Sequence, residues 1–460
     1  MSRGNRGHQA ATEVNEQSPE EVSGTGVDPD DDPAIAGGPL LEGNPAAAAR
    51  GLLIGVFLLM AGNGLQGSLL GVRSEAEGFS LAATGVVMAC YFAGFFFGAR
   101  TAERLLAQVG HIRVFAALAS SASAAVLMHS TFISPFSWGL MRFVTGMCMA
   151  GLFVVAESWL NDMATNATRG RLLSLYMVAT MGGLSAGQFL LEVAEPEGFE
   201  LFVLASVLVS LSLLPVTLSA SSAPPTGIPE PLSLRELFSE VPTGVISSFW
   251  GGMSAGVLIG IGAVYAIAAD VPSGRVSTFL AAPLVGSFLM QWPIGWVSDR
   301  MSRRTVMFWV AIAAAAVCLG LVAVPAGSWT AIGLMFLLGG TTFPLYSLTI
   351  AFTGDWLPQS QLTAASASLV RVNGVGAIFG PVVAAPLMAV FSPQMFFWAL
   401  VVTHTVIASY IAWRVIFRDA LPMERQRAFV AFPARGSGVA SNLIGRRKKS
   451  EFAKSANDEG

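Results

Sequence analysis

Twelve long apolar stretches, separated by short polar breaks, constrain the fold of this chain more than any other feature. A helix needs about 20 mostly apolar residues to cross the hydrocarbon core of a bilayer. The stretches lie at 51–72, 81–99, 112–129, 135–158, 171–191, 199–218, 243–268, 276–297, 305–325, 329–353, 366–389 and 394–416. Only 12% of the residues are charged, about half the share in soluble domains, so lipid must solvate much of the surface. The sequence therefore predicts an all-α polytopic membrane protein with twelve transmembrane helices, spans 1 to 12.

Polar segments divide the chain further. Residues 219–242 are the longest interruption between spans, and we predict a cytoplasmic linker there between six-helix bundles at 51–218 and 243–416. Residues 1–50 hold nine acidic side chains and no apolar run, which predicts a disordered cytoplasmic tail. Residues 417–460 contain all three lysines and form a basic cytoplasmic tail, which either contacts anionic lipid or only anchors the topology.

The placement of arginine sets the expected orientation, because loops rich in Lys and Arg stay in the cytoplasm. Loops after even-numbered spans carry ten arginines, and loops after odd-numbered spans carry two. We therefore predict a multi-pass protein of the cytoplasmic (inner) membrane with both termini in the cytoplasm.

The two halves of the chain echo each other at a fixed offset. Four residues in spans 4 and 5 and the loop between them recur 193 positions later in spans 10 and 11 and their loop. The pairs are Gly146 and Gly339, Asp162 and Asp355, Gly183 and Gly376, and Gly187 and Gly380. Parallel six-helix repeats, related by an axis along the membrane normal, are typical of one transporter architecture.

Three motifs resemble those of the major facilitator superfamily. Residues 295–304, GWVSDRMSRR, are similar to its G-x-x-x-D-R-x-x-R-R loop signature, and Arg142 followed by Gly146 is similar to its R-x-x-x-G motif. Gly376, Gly380 and Pro381 resemble the G-x-x-x-G-P motif of its drug/proton antiporters. The runs ESWLND (157–162) and PLYSL (344–348) indicate a poorly characterised bacterial clade. The resemblance covers about 51–416 and implies the twelve-helix fold of two parallel repeats.

The chain departs from the family pattern at two places. The N-terminal copy of the loop motif, residues 103–113, has Ala107 where the motif has an aspartate. In antiporters the G-x-x-x-G-P motif belongs to span 5, whereas the proline here lies in span 11. The direction of transport therefore stays open.

The loop signature predicts a conformational gate at the inner end of span 8. Asp299 can accept charge-assisted hydrogen bonds from a facing helix end or arginine in one conformation and lose them in the other. The alternative is a charged inner loop that only sets topology. The gating candidates are Gly295, Asp299, Arg300, Arg303 and Arg304.

Arg142 is the sharpest candidate for a solute contact, because it lies about 10 Å inside the outer end of span 4. A charge at that depth is costly and usually faces a water-filled cavity, although it can also snorkel outward. The family places spans 1, 4, 7 and 10 around its cavity. The candidates on those spans are Asn63, Gln66, Arg142, Trp250, Tyr265 and Tyr346, with helix packing the alternative for the amides and the membrane interface for Tyr265.

Two further sets of residues have expected roles. Glu157, near the inner end of span 4, is either a proton site or a charge of the inner rim. Small residues let helices approach closely, so we predict packing roles for Gly146, Gly183, Gly187, Gly376, Gly380 and Pro381.

These patterns favour a secondary transporter that moves a small solute by alternating access, with a proton as candidate coupling ion. The histidines are scattered and no nucleotide motif is found, so we expect no enzyme activity, cofactor or metal, and no nucleic-acid partner. The alternative is a sensor or assembly subunit that kept the fold and lost transport. The family implies a monomer, and the identity of the solute is left open.

Overall fold

Helices account for all twelve predicted spans in the computed structural model, which describes residues 49–164, 168–218, 233–358, 361–417, 426 and 429. The first six are α1 (Arg50–Ala76), α2 (Leu81–Val109), α3 (His111–Thr131), α4 (Pro135–Met163), α5 (Arg169–Phe189) and α6 (Glu200–Leu211 with Leu213–Leu218). The others are α7 (Pro242–Ala255 with Gly262–Ala268), α8 (Ser273–Ser298), α9 (Arg303–Ala323), α10 (Trp329–Trp356), α11 (Leu362–Val390) and α12 (Met395–Phe417). Ten helices of the described chain are long and apolar enough to cross a membrane, and α6 contributes a shorter apolar helix. The twelve-helix prediction is confirmed.

Local sequence explains several helix boundaries. Ser80, Ser134 and Ser328 each accept a hydrogen bond from a backbone N–H three residues later, and so cap the first turns of α2, α4 and α10. The two segments of α7 are joined by a π turn, Gly256–Gly260. The predicted tails, residues 1–50 and 417–460, fall almost wholly outside the described residues.

The predicted linker contains a short helix, Leu234–Glu240, whose start the sequence encodes. Ser233 and Glu236 form a reciprocal capping box, and the backbone N–H of Ser233 donates to the Glu236 carboxylate at 2.9 Å. This backbone hydrogen bond holds the pKa of Glu236 below its ordinary value. The remainder of the predicted linker, residues 219–232, lies outside the described part of the chain.

Glycines place pairs of helices in backbone contact within each half of the molecule. A Cβ at Gly183 of α5 would lie 2.5 Å from the Phe57 carbonyl oxygen of α1. A Cβ at Gly376 of α11 would lie 1.9 Å from the Phe249 carbonyl oxygen of α7. The two glycines are 193 positions apart and their partners 192, so the contact between α1 and α5 recurs between α7 and α11.

The same repetition holds for a second pair of helices. Gly146 of α4 faces the Tyr91 carbonyl oxygen of α2, and Gly339 of α10 faces the Pro283 carbonyl oxygen of α8. These glycines are again 193 positions apart and their partners 192. The repeat seen in the sequence is therefore also a repeat of backbone contacts, and the two-repeat fold is confirmed.

Apolar packing joins the two halves at one end of the molecule. One buried cluster combines the carboxyl ends of odd-numbered helices with the amino ends of even-numbered helices from both halves, including Leu69, Phe202, Phe279 and Phe396. We call this the closed end.

At the opposite end, which we call the split end, the apolar residues form two clusters. One is built almost entirely from α1–α6, and the other from α7–α12 and the short helix Leu234–Glu240. The halves therefore share one core at the closed end and have separate cores at the split end.

Two antiparallel helix pairs make up much of the interface between halves, and Gly71 of α1 also packs on Ala263 of α7. Gly85 of α2 packs on Ala385 and on the Pro381 carbonyl of α11 near the closed end. In the other pair, Ser287 of α8 donates to the Met181 sulfur of α5 at 3.9 Å. These contacts leave the split-end parts of the helices outside the shared core.

We predict that Gly183→Ala destabilises the protein, because its Cβ would overlap backbone atoms of α1 that have no room to move. Overpacking of this kind costs about 1–3 kcal/mol. A lowered thermal unfolding midpoint of the detergent-purified protein is the measurement.

Gly182→Ala is the matched control, since the nearest atom to its Cβ would lie at 3.6 Å on the Phe57 ring. An equal midpoint for the two variants would contradict the close α1–α5 packing.

Candidate functional site

A small polar cavity lies between the two halves, beside the shared core. Its polar lining consists of Asn63 and Ser68 on α1, Arg142 on α4 and Gln188 on α5, together with the Tyr91 side chain on α2. Its volume is about 40 Å³, which is room for water molecules and not for an organic solute. The cavity is therefore contracted in this conformation.

The amides of this cavity differ in their bonding. The Ser68 hydroxyl donates to the Gln188 side-chain oxygen, and the Gln188 amide donates to the Leu184 carbonyl at 3.2 Å. The Asn63 amide nitrogen is buried and has no hydrogen-bond partner among the described residues. An unsatisfied buried donor is costly, so Asn63 is suited to bond a solute or water.

Arg142 is the charged group of the polar cavity, with 4% of its surface exposed. It lies two turns into α4, which begins at Pro135 after its Ser134 cap. The guanidinium carbon stands 4.4 Å from the centroid of the Tyr91 ring, a cation–π contact. The contact holds the guanidinium at the cavity wall.

A second cavity, also of about 40 Å³, adjoins the first and is mainly apolar, with several aromatic residues in its lining. Tyr91, Phe92 and Ile259 line both cavities and so lie between them. Phe95 and Tyr346 line the second cavity alone, and Asn373 supplies an amide. Together the two cavities offer a cationic, amide-lined chamber next to an aromatic one.

The structure brings three of the six predicted solute contacts to these cavities, namely Asn63, Arg142 and Tyr346. Gln66 is fully buried elsewhere on α1, and Trp250 packs in the split-end cluster of α7–α12. Tyr265 stacks on Phe396 with ring centroids 4.8 Å apart. None of the latter three lines either cavity.

Other lining residues were missed by the sequence reasoning, which considered only spans 1, 4, 7 and 10. They are Tyr91 and Phe92 on α2, Gln188 on α5 and Asn373 on α11. The signal available was Gln188, an amide directly after the close-packed Gly187.

Glu157 lies on the same helix as Arg142, toward the split end, and is fully buried. The Tyr176 hydroxyl of α5 donates to its carboxylate at 2.9 Å. Glu157 is therefore a fully buried acid that is hydrogen-bonded by a tyrosine of a neighbouring helix.

The loop motif after α8 forms a charge cluster centred on Arg303, a residue with 1% of its surface exposed. Its guanidinium makes an ion pair with Asp355 of α10, which is also buried, and donates to the Ser298 hydroxyl at 3.1 Å. Asp299 lies farther from Arg303, at 3.7 Å, and is 38% exposed. Arg303 thus ties the start of α9 to the end of α10.

The remaining gating candidates surround this pair. The Arg300 guanidinium lies 3.9 Å from the Trp296 ring centroid and is exposed. Arg304 is buried and donates to the Arg414 carbonyl of α12 at 3.4 Å. Within the described residues, no three His, Cys, Asp or Glu side chains are grouped as a metal site would require.

Comparison with known proteins agrees with this geometry. Residues 244–453 match the family model of the Major Facilitator Superfamily. The chain is 27% identical over 356 residues to the uncharacterized MFS-type transporter YcaD of Escherichia fergusonii, covering 75% of this chain and 90% of YcaD. YcaD of Escherichia coli K12 is 28% identical over 352 residues, with the same coverage.

Solved structures show the same fold. The nucleoside transporter NupG (D323A mutant) superposes with a TM-score of 0.70 at 13% identity, covering 81% of this chain and 100% of NupG. A bacterial homolog of the human lysosomal transporter Spinster, inward-facing and unoccupied, gives 0.61 at 15% identity, covering 84% and 97%. The family model, the MFS-type relatives and the shared fold together support an MFS transporter.

These similarities support a multi-pass membrane protein of a transporter type rather than an enzyme. Arg303 of the loop motif forms a buried ion pair with Asp355. This pairing was not predicted, because Asp355 stood out in the sequence only as the counterpart of Asp162 in the repeat.

We predict that Arg303→Gln lowers stability strongly, because it leaves the Asp355 carboxylate buried without this cation. Breaking a buried ion pair costs about 3–5 kcal/mol. Thermal unfolding in detergent measures the effect. Arg300→Gln is the control, since loss of this exposed arginine of the same motif should change the midpoint little. If both variants lower the midpoint equally, the Arg303–Asp355 ion pair does not stabilise the protein more than an exposed arginine does.

Proposed function

We propose that this protein is a secondary transporter that moves a small organic anion with an apolar body across the cytoplasmic membrane by alternating access. The observation that carries the proposal is the buried Arg142 guanidinium, which lines a polar cavity next to an aromatic one between the two halves. A carboxylate would contact Arg142 and the Asn63 amide, and its apolar body would reach the rings of Phe95 and Tyr346.

The burial of the Arg142 guanidinium supports an anionic solute. A guanidinium at membrane depth is costly, and a bound carboxylate offsets that cost by charge-assisted hydrogen bonds. The aromatic chamber supports an apolar body, because apolar rings gain free energy by leaving water. The solved structures of similar fold include a nucleoside transporter and a fucose:proton symporter, which supports small-solute transport in general.

The distribution of apolar packing supports alternating access. The halves share a core only at the closed end, so a rocking motion about the central cavities would separate that core and join the split-end clusters. The arginine bias assigns the split end to the cytoplasm, with both termini on that side. The conformation described here would then face inward. Transport by a monomer is part of the proposal.

A second candidate function rests on the loop motif at residues 103–113, where Ala107 replaces the family aspartate. A chain that lost one gate could bind solute as a sensor or assembly subunit without transporting it. Counterflow of labelled solute in liposomes separates the two functions, since a sensor binds without flux.

We predict that carboxylates stabilise the wild-type protein and that Arg142→Gln abolishes this effect. A ligand that binds only the folded state increases the free energy of unfolding by mass action, by about 2.7 kcal/mol at a ligand concentration of 100 times Kd. The thermal unfolding midpoint rises accordingly. The measurement is a thermal-shift screen of aliphatic and aromatic carboxylates, each paired with its neutral amide.

The control for charge removal is Arg371→Gln, because Arg371 is exposed on α11 and lines neither cavity. Its response to carboxylates should equal that of the wild type. Stabilisation of the wild type by the amides as strongly as by the carboxylates would refute an anionic solute. Equal stabilisation of Arg142→Gln and wild type would remove Arg142 from the site.

We also propose that a proton is the coupling ion and that Glu157 carries it. Glu157→Gln keeps the volume and the acceptor for the Tyr176 hydroxyl but binds no proton. In liposomes, this variant should lose accumulation driven by a pH gradient and keep exchange of labelled for unlabelled carboxylate. Glu75→Gln, at an exposed position of α1, should retain both. Gradient-driven accumulation by Glu157→Gln at the wild-type level would contradict the assignment.

A further inference from the structure

Two residues beyond the end of α12 lie on the loop motif of the C-terminal half. The Phe429 ring occupies the notch left by Gly295, where an added Cβ would stand 2.3 Å from a ring carbon. Phe429 also packs against the split-end cluster of α7–α12, next to Ile294 and Val297. Gln426 lines a small cavity with Arg303 and Asp355. Phe429 therefore lies on the motif glycine, and Gln426 lies beside the buried ion pair.

Phe429 also makes a hydrogen bond to Asp299, the acidic residue of the motif. The Phe429 backbone N–H donates to the Asp299 carboxylate oxygen at 2.7 Å, whereas Arg303 stands 3.7 Å from that oxygen. A bond from an N–H to a charged carboxylate is among the stronger hydrogen bonds of proteins. Among the described residues, the close donor to the Asp299 carboxylate is the Phe429 N–H.

Helix register shows which group of the other half would compete with the tail. The antiparallel helices α5 and α8 touch at Met181 and Ser287, and each continues for twelve residues toward the split end before it reaches Arg169 or Asp299. Asp299 is thus level with the first turn of α5. The leading N–H groups of a helix lack intrahelical partners and attract anions.

From these contacts we infer that Phe429 is a built-in clamp that holds the split end apart by occupying Asp299 and the Gly295 notch. Closing the split end brings the start of α5 toward Asp299, and α5 must then displace the Phe429 N–H. The occupant of the surface is Phe429 of the same chain. The inference concerns the conformational equilibrium and does not depend on the identity of the solute.

The first variant of the test weakens the clamp without changing the tail. Gly295→Ala adds a methyl group inside α8 whose close neighbours are all atoms of the Phe429 ring, so the ring must leave the notch. Gly274→Ala is the matched control on the same helix, because its Cβ would meet no atom within 4 Å. Phe429→Ala is the second variant, and it removes only a half-buried side chain.

Spin labels at Phe132 and Phe391, exposed closed-end positions in opposite halves, report the equilibrium in a background with Cys90, Cys148 and Cys318 replaced. Without the clamp, the population with a long label distance should rise roughly tenfold, as a lost bond of this strength implies. Gly274→Ala should match the wild type.

The double variant Gly295→Ala with Phe429→Ala decides whether the ring is the cause, because residues in contact are non-additive. Gly295→Ala should have no further effect once the ring is absent. Distance distributions that stay at the wild-type form in both single variants, with unfolding midpoints retained, would overturn the clamp. An unchanged effect of Gly295→Ala in the Phe429→Ala background would overturn it as well.

Discussion

Backbone contact between helices at glycine is the constraint on which the rest of this structure depends. In a bilayer, apolar surface is solvated as well by lipid as by another helix, so association relies on close packing. Glycines on α5 and α11, and on α4 and α10, allow carbonyl oxygens of partner helices to lie where a side chain would stand. The result is a pair of similar frameworks, one in each half.

The interface between these frameworks combines close glycine contacts with looser regions. Gly85 of α2 packs on the Pro381 carbonyl of α11, whereas one apolar cluster, two small cavities and the long Ser287–Met181 contact make up other parts of the interface. The split-end clusters remain separate, so the halves are held together mainly at the closed end and beside the cavities. Asp299 lies at the split end, where the C-terminal framework meets Phe429.

The fold was readable from the sequence because the hydrocarbon thickness imposes the length of each helix, and the repeat was readable because close packing tolerates only glycine. The site was readable in part. Arg142 and Asn63 stand out as polar groups within apolar runs, but Tyr91 and Phe92 look like ordinary apolar-helix aromatics. The hydrogen bond of Phe429 to Asp299 joins residues 130 positions apart, and no local sequence pattern predicts such a contact.

Tyr91 serves the framework and the cavities with different atoms. Its carbonyl oxygen meets Gly146, one turn along α4 from Arg142, while its ring contacts Arg142 and the residue lines both cavities. A substitution at this position alters the ring and leaves the carbonyl in place. Descendants of this chain can therefore reshape both cavities by one substitution and keep the packing of α2 on α4.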